Sequence, residues 1–321
     1  MLDSTARNQQ RFLRLQNECD RMVWSVGFLL ITSSSQALSY ERARTEVPFE
    51  YVADHILVVP AQISDQESFV ILDTGVGVNV ISKTLAQKLG CKVGGQHSGR
   101  RMSGQKLSMP MTSVPSLQIG NCIGTKIPTA ILNLDEFFPK EPTFKKIEGF
   151  VSLNFFRNTP FTLDYGSKKL IIEDQLSVER RLSTGTAVPV NIHDKHGIET
   201  GITLPVKFSN GKSALVEVDT GSGCLILNQR YMKSFGIATT SPNLKIVHGK
   251  DETGHAYVRY FCALPADVFL AAAKNVRQVK PRVQFQKIIY EGLIGDSFLR
   301  NFVVTYDLAH HRMIFSPKTS E

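Results

Sequence analysis

The sequence predicts a mainly β chain built from two copies of one pattern, and three observations carry that prediction. The stretches FVILDTGVGVNVIS (residues 69–82) and LVEVDTGSGCLILN (residues 215–228) hold the same Asp-Thr-Gly between apolar runs, 146 positions apart. The blocks EGFVSLNFFRNTPFTLDYGSKKLII, from Glu148, and EGLIGDSFLRNFVVTYDLAHHRMIF, from Glu291, repeat Glu, Gly, Phe, Arg, Asn, Thr, Asp and Ile in register at an offset of 143. Short alternating runs such as HILVVPAQI and TLPVKF, broken by turn signals such as Asn210-Gly211, read as strands.

Taken in order, the chain opens on what reads as an export signal over residues 1–37. Arg11, Arg14 and Arg21 precede the apolar stretch MVWSVGFLLI (residues 22–31), and Ser35-Gln36-Ala37 has the small-x-small form of a cleavage site. Ten apolar residues are too few to span a bilayer comfortably. The expectation is an exported protein, periplasmic or extracellular, with a membrane tether by an uncleaved segment as the alternative. Residues 38–47 are too short for a substantial inhibitory propeptide.

Each copy then runs strand, Asp-Thr-Gly turn, strand, short helix, glycine-containing loop, strands and a closing hairpin. Ser82 and Asn228 suit helix N-caps, KTLAQKL and QRYMKSF carry apolar residues at helical spacing, and Gly90 and Gly236 stand where a left-handed residue ends a helix. These signals predict a first lobe over residues 48–175, a polar linker at 176–188 and a second lobe over 189–318. ADVFLAAAKNV (residues 266–276) reads as an amphipathic helix packed on the second lobe.

Composition excludes more than it identifies. The chain carries 37 Lys+Arg against 29 Asp+Glu, a net charge of +8. The basic residues come in ones and twos, as at Arg100-Arg101 and Arg180-Arg181, without a nucleic-acid motif, so a solvated basic surface is expected and no nucleic-acid partner. Beyond the signal lie Cys91, Cys122, Cys224 and Cys262, enough for two disulfides but too few for a disulfide framework. Cys224 matches Val78 of the first copy and reads as apolar filling rather than a nucleophile. His193 with His196, and His310 with His311, read as surface turns, with no third ligand to suggest a metal. No metal and no cofactor is expected.

The sharpest feature is the acid inside each apolar run. An isolated buried carboxylate is costly, so Asp73 needs a partner, and Asp219 in the matched turn is the obvious one. Two apolar-apolar-Asp-Thr-Gly turns, each followed by an apolar-apolar-small block, resemble the bilobed aspartic proteases. ILDTGVGVNVIS is closer to the retroviral type, whereas VDTGSG and LIGDSFL are nearer the pepsin type. Over nearly the whole chain after the signal, the likeness is greatest to bacterial tandem retropepsin-like and pepsin-like (clan AA) proteins.

That resemblance implies two homologous pepsin/retropepsin-like β-barrel lobes, related by a pseudo-two-fold axis, with short helices. It implies catalytic Asp73 and Asp219, sharing one proton and activating a water between them. Thr74 and Thr220 would bond across the interface, Gly75 and Gly221 would let the backbone approach the carboxylates, and Ser222 would donate to Asp219 where Val76 cannot. The apolar-apolar-Gly pattern reads Leu293-Ile294-Gly295 in the second copy but Phe150-Val151-Ser152 in the first, which questions the packing behind Asp73. Residues 98–108 and 248–258 are the candidate flaps.

Three functions follow. The first is an exported aspartic endopeptidase acting on a peptide or protein substrate, as a monomer with an intramolecular two-lobe site. The second is a non-catalytic peptide-binding module on the same fold. The third pairs each half with a half from another chain.

Overall fold

The computed structural model describes residues 43–138, 141–251 and 254–318; the export-signal reading of residues 1–37 lies outside them. Three sheets organise the chain. The first copy forms an eight-stranded sheet and the second a ten-stranded one, while a six-stranded sheet takes three strands from each. In the first copy, the strand Ile56–Ile63 pairs with both Gln66–Leu72 and Lys106–Ile119, so the sheet closes on itself as a barrel.

The two copies share an unusual pairing scheme. Gln66–Leu72 runs parallel to Ile147–Val151, and Asn79–Ser82 parallel to Cys122–Leu132. In the second copy Ser213–Val218 runs parallel to Gly292–Ile294, and Leu225–Asn228 parallel to Arg282–Gln286. Each copy thus fits a short strand from its closing block between the two strands that flank the Asp-Thr-Gly turn. This insertion leaves no room for side chains at its centre. A Cβ on Gly149 would lie 2.1 Å from the Val80 carbonyl oxygen, and one on Gly292 2.7 Å from that of Ile226.

The pseudo-two-fold axis passes through the six-stranded sheet, whose order reads the same from either edge in terms of equivalent strands. At its centre Phe161–Asp164 pairs with Phe302–Asp307. There the repeat-related Thr162 and Thr305 place their hydroxyls 2.6 Å apart, and Phe161 stacks on Tyr306 at 4.6 Å. One continuous apolar core spans both copies, which explains why the halves form a single unit.

Local signals resolve as their chemistry requires. Ser82 accepts from the Leu85 N–H to cap the helix Lys83–Lys88, and Asn228 caps the 3-10 turn Gln229–Phe235. Gly90 and Gly236 adopt left-handed φ of 63° and 69°. Residues 176–188 are built from helix and strand: the helix Gln175–Thr184, opened by an Asp174/Ser177 capping box, leads into Thr186–Pro189 at an edge of the six-stranded sheet. Residues 266–276 correct the sequence reading. They form strands Val268–Leu270 and Ala273–Gln278 rather than a helix, because Val268–Leu270 pairs with the edge of Glu199–Phe208. Burial of alternate residues Val268 and Leu270 on that edge outweighs the helix propensity of the alanines.

Gly149→Ala is expected to destabilise the fold by about 1–3 kcal/mol or more, since a backbone oxygen cannot rotate away as a side chain can. Chemical denaturation of the variant checks this.

Candidate active site

The strands Gln66–Leu72 and Ser213–Val218 each end at an aspartate, and each aspartate is fixed by the inserted strand beside it. Asp73 N–H donates to the Val151 carbonyl and Asp219 N–H to the Ile294 carbonyl, both at 3.0 Å. The next two residues turn the chain so that Gly75 N–H reaches Asp73 Oδ1 and Gly221 N–H reaches Asp219 Oδ1, both at 2.8 Å. The paired turns meet back to back. Thr74 N–H donates to Thr220 Oγ1 and Thr220 N–H to Thr74 Oγ1, each at 3.0 Å. Each hydroxyl in turn donates a hydrogen bond across the interface, Thr74 to the Val218 carbonyl at 2.7 Å and Thr220 to the Leu72 carbonyl at 2.9 Å.

This close approach explains the glycines. A Cβ on Gly75 would lie 2.6 Å from Asp219 Cγ, and one on Gly221 would lie 2.7 Å from Asp73 Oδ2. The two carboxyls are hydrogen-bonded to each other. Both are pushed above the usual carboxylate range, first by burial. The charges of Asp73 and Glu217 add to the rise at Asp219, while the Gly75 N–H on Asp73 and the Gly221 N–H on Asp219 favour the ionised forms. The two aspartates therefore share one proton and titrate as a pair.

Ser222 does not act as the sequence reading expected. Its hydroxyl donates to the Cys224 carbonyl at 3.1 Å, and its N–H to the main-chain carbonyl of Asp219. Ser152 also finds a physical account. Its N–H and hydroxyl bond Asn79 Oδ1 at 3.0 and 3.2 Å, so a side chain is accommodated and satisfied there. At the matching Gly295 a Cβ would lie 2.1 Å from the Ser222 carbonyl oxygen, so only glycine fits.

The two candidate flaps are both β-hairpins, Gly95–Arg100 with Lys106–Ile119 and Lys245–Lys250 with Ala256–Ala263. The first reaches the other lobe. Met102 accepts from the Ile289 N–H at 2.8 Å and packs with Cys224 and Tyr290 against Ile226, Ile288 and Leu293. Arg101 lies 3.7 Å from Asp251 in the second hairpin, and His97 lies 3.2 Å from Glu199.

None of Cys91, Cys122, Cys224 and Cys262 is in a disulfide, and burial pushes the Cys224 and Cys262 thiols up, away from nucleophilic thiolates. Among the described residues, no group of three His, Cys, Asp or Glu side chains could hold a metal ion. Reasoning from sequence missed Glu217. The signal was present, since VEVD places a second acid two residues before Asp219 in a buried run.

The geometry agrees with what comparison finds. Residues 59–143 match the aspartyl protease family model, a span that includes the Asp73 turn but not the Asp219 turn. Among solved structures, the crystal structure of Basic 7S globulin from soybean superposes with a TM-score of 0.52 at 12% identity, covering 85% of this chain and 96% of that one. The protein is aspartic-protease-like. No curated protein matches the chain. At 12% identity the globulin shares a bilobed pepsin-like fold with the aspartic-protease-like chain, and only the fold carries over.

Two outcomes follow from this site. Thr74→Val removes a hydroxyl that serves two buried backbone groups and is expected to cost about 2–4 kcal/mol in denaturant unfolding. The second concerns pH. Because the folded state raises the Asp219 pKa, its contribution to stability is full below the unfolded value near 4 and is lost as pH rises. Asp219→Asn removes that loss. The variant should unfold at a higher temperature than wild type at pH 7–8, with the gain fading toward pH 4.

Proposed function

We propose that the protein is an aspartic endopeptidase that hydrolyses peptide bonds through a water held between Asp73 and Asp219. The observation that carries the reading is the pair itself: two half-buried carboxyls, hydrogen-bonded to each other, on turns locked by reciprocal threonine bonds. Such a pair holds one proton over two sites, which supplies a base and an acid at once.

The shared proton divides the labour. The charged carboxyl of the pair is the base that accepts a proton as the water attacks the scissile carbonyl carbon. The protonated one gives its proton to the carbonyl oxygen as charge develops there. The product is a tetrahedral gem-diol. Its collapse breaks the C–N bond as one gem-diol hydroxyl returns its proton to the pair and the departing amine takes one from it, leaving a carboxyl, an amine and a pair that again holds one proton. Gly75 and Gly221 keep each turn close to the opposite carboxyl, and Thr74 and Thr220 prevent the turns from separating.

The substrate would be an extended peptide, held by backbone hydrogen bonds and covered by the two hairpins. A single chain that supplies both aspartates supports a monomeric enzyme. The apolar segment at residues 22–31 supports action outside the cytoplasm.

Asp73→Asn and Asp219→Asn should each lower kcat/KM by roughly 10³-fold or more, since each removes one half of the acid–base pair. Cleavage of a peptide library between about pH 3 and 8 is the measurement. Loss in only one variant would break the shared-site reading, and a well-folded wild type that cleaves nothing would favour a peptide-binding module.

A further inference from the structure

The strand Ser213–Val218 carries a second acid toward the site. Side chains alternate along extended backbone, so Glu217 lies on the same face as Asp219, and both are half-buried while Val216 and Val218 face the core. The matching residue of the first copy is Ile71, which fills an apolar cluster with Val52, Val58, Phe144 and Ile147. The exchange of apolar filling for a carboxyl occurs on the Asp219 side alone.

Glu217 is held rather than loose. The Tyr290 hydroxyl donates to it, and on the neighbouring strand Gly201 leaves it space, since a Cβ there would lie 3.5 Å from Glu217 Oε1. The charged groups that face Glu217 are Asp73 and Asp219 at the paired turns and Glu199 on the strand Glu199–Phe208. Glu199 is itself paired, with His97 at 3.2 Å and Lys195 at 3.9 Å.

We propose that Glu217 is a positioning residue of the dyad: anchored by Tyr290 beside Asp219, it extends to higher pH the range over which the two aspartates keep their shared proton. This rests on the dyad reading above. Burial, then the charges of Asp73 and Glu199, push the Glu217 pKa up to about 8. Below that pH Glu217 is neutral and leaves the pair undisturbed. As it ionises, its charge makes loss of the Asp219 proton harder, because neighbouring like charges resist joint ionisation. Glu217 thus defends the protonated acid at the pH where it would otherwise be lost.

Glu217→Gln keeps the shape and the neutral hydrogen-bonding groups but cannot ionise. In the full chain, the alkaline limb of the kcat/KM profile should move to lower pH by about one unit, a tenfold change in proton affinity, while the acid limb stays in place. Carboxyl ¹³C NMR titration of Asp73 and Asp219 in the same samples should show the upper step of the pair falling by the same amount. Tyr290→Phe, which removes the donor that favours ionised Glu217, should shift both readouts in the same direction by less, and decides the matter if Glu217→Gln does not fold. An unmoved upper step in a folded variant, or a drop in rate equal at every pH, would overturn the proposal. Wild type that cleaves no peptide would remove the endopeptidase reading, while the carboxyl titration would still decide this one.

Discussion

Four hydrogen bonds between the two Asp-Thr-Gly turns hold the halves of the molecule in register. Thr74 and Thr220 are fully enclosed, so their N–H groups and hydroxyls have no water to turn to. Each is satisfied only by the opposite turn. Pulling the halves apart would strand four donors at once, and stranded donors cost far more than formed bonds return. The interface is therefore fixed geometrically rather than by apolar area alone. The six-stranded sheet repeats the device on the same pseudo-axis, where Thr162 and Thr305 meet.

Pinning the turns has an electrostatic consequence. The carboxyls cannot move apart to relieve their repulsion, and glycine at positions 75 and 221 removes bulk that would press on the opposite carboxyl. Their burden is eased by sharing a proton and by the N–H groups aimed at them. A fold that keeps two acids so close gives up stability at neutral pH. The reciprocal threonine bonds and the continuous core are what make that loss tolerable.

Much of this was legible in the sequence because duplication supplies its own control. A single Asp-Thr-Gly says little, but a second one in the same apolar setting, with matching caps and matching closing blocks, implies two equivalent lobes and a pair of facing acids. What stayed hidden depended on tertiary contacts. The alanine-rich stretch at 266–276 pairs with a sheet edge that no local pattern announces. The Ser222 hydroxyl finds a nearby carbonyl two residues on, a choice set by the turn's backbone rather than by residue type. Glu217 was readable as an anomaly, since an acid at the position of Ile71 needs a reason, but Tyr290 comes from a distant loop and could not be named in advance.

The differences between the copies matter as much as the likeness. Two identical halves would place the shared proton on either aspartate with equal probability, and neither could specialise as base or acid. In this chain the backbone frame is nearly symmetric, as the matched bonds at Asp73 and Asp219 show, while the surroundings are not. Glu217 stands on the Asp219 side where Ile71 fills an apolar cluster on the other. Once Glu217 ionises, its charge raises the proton affinity on the Asp219 side alone, so a symmetric frame carries an asymmetric charge. That asymmetry is open to a duplicated chain and closed to a pair of identical subunits, because only the former can change one side of the axis without changing the other.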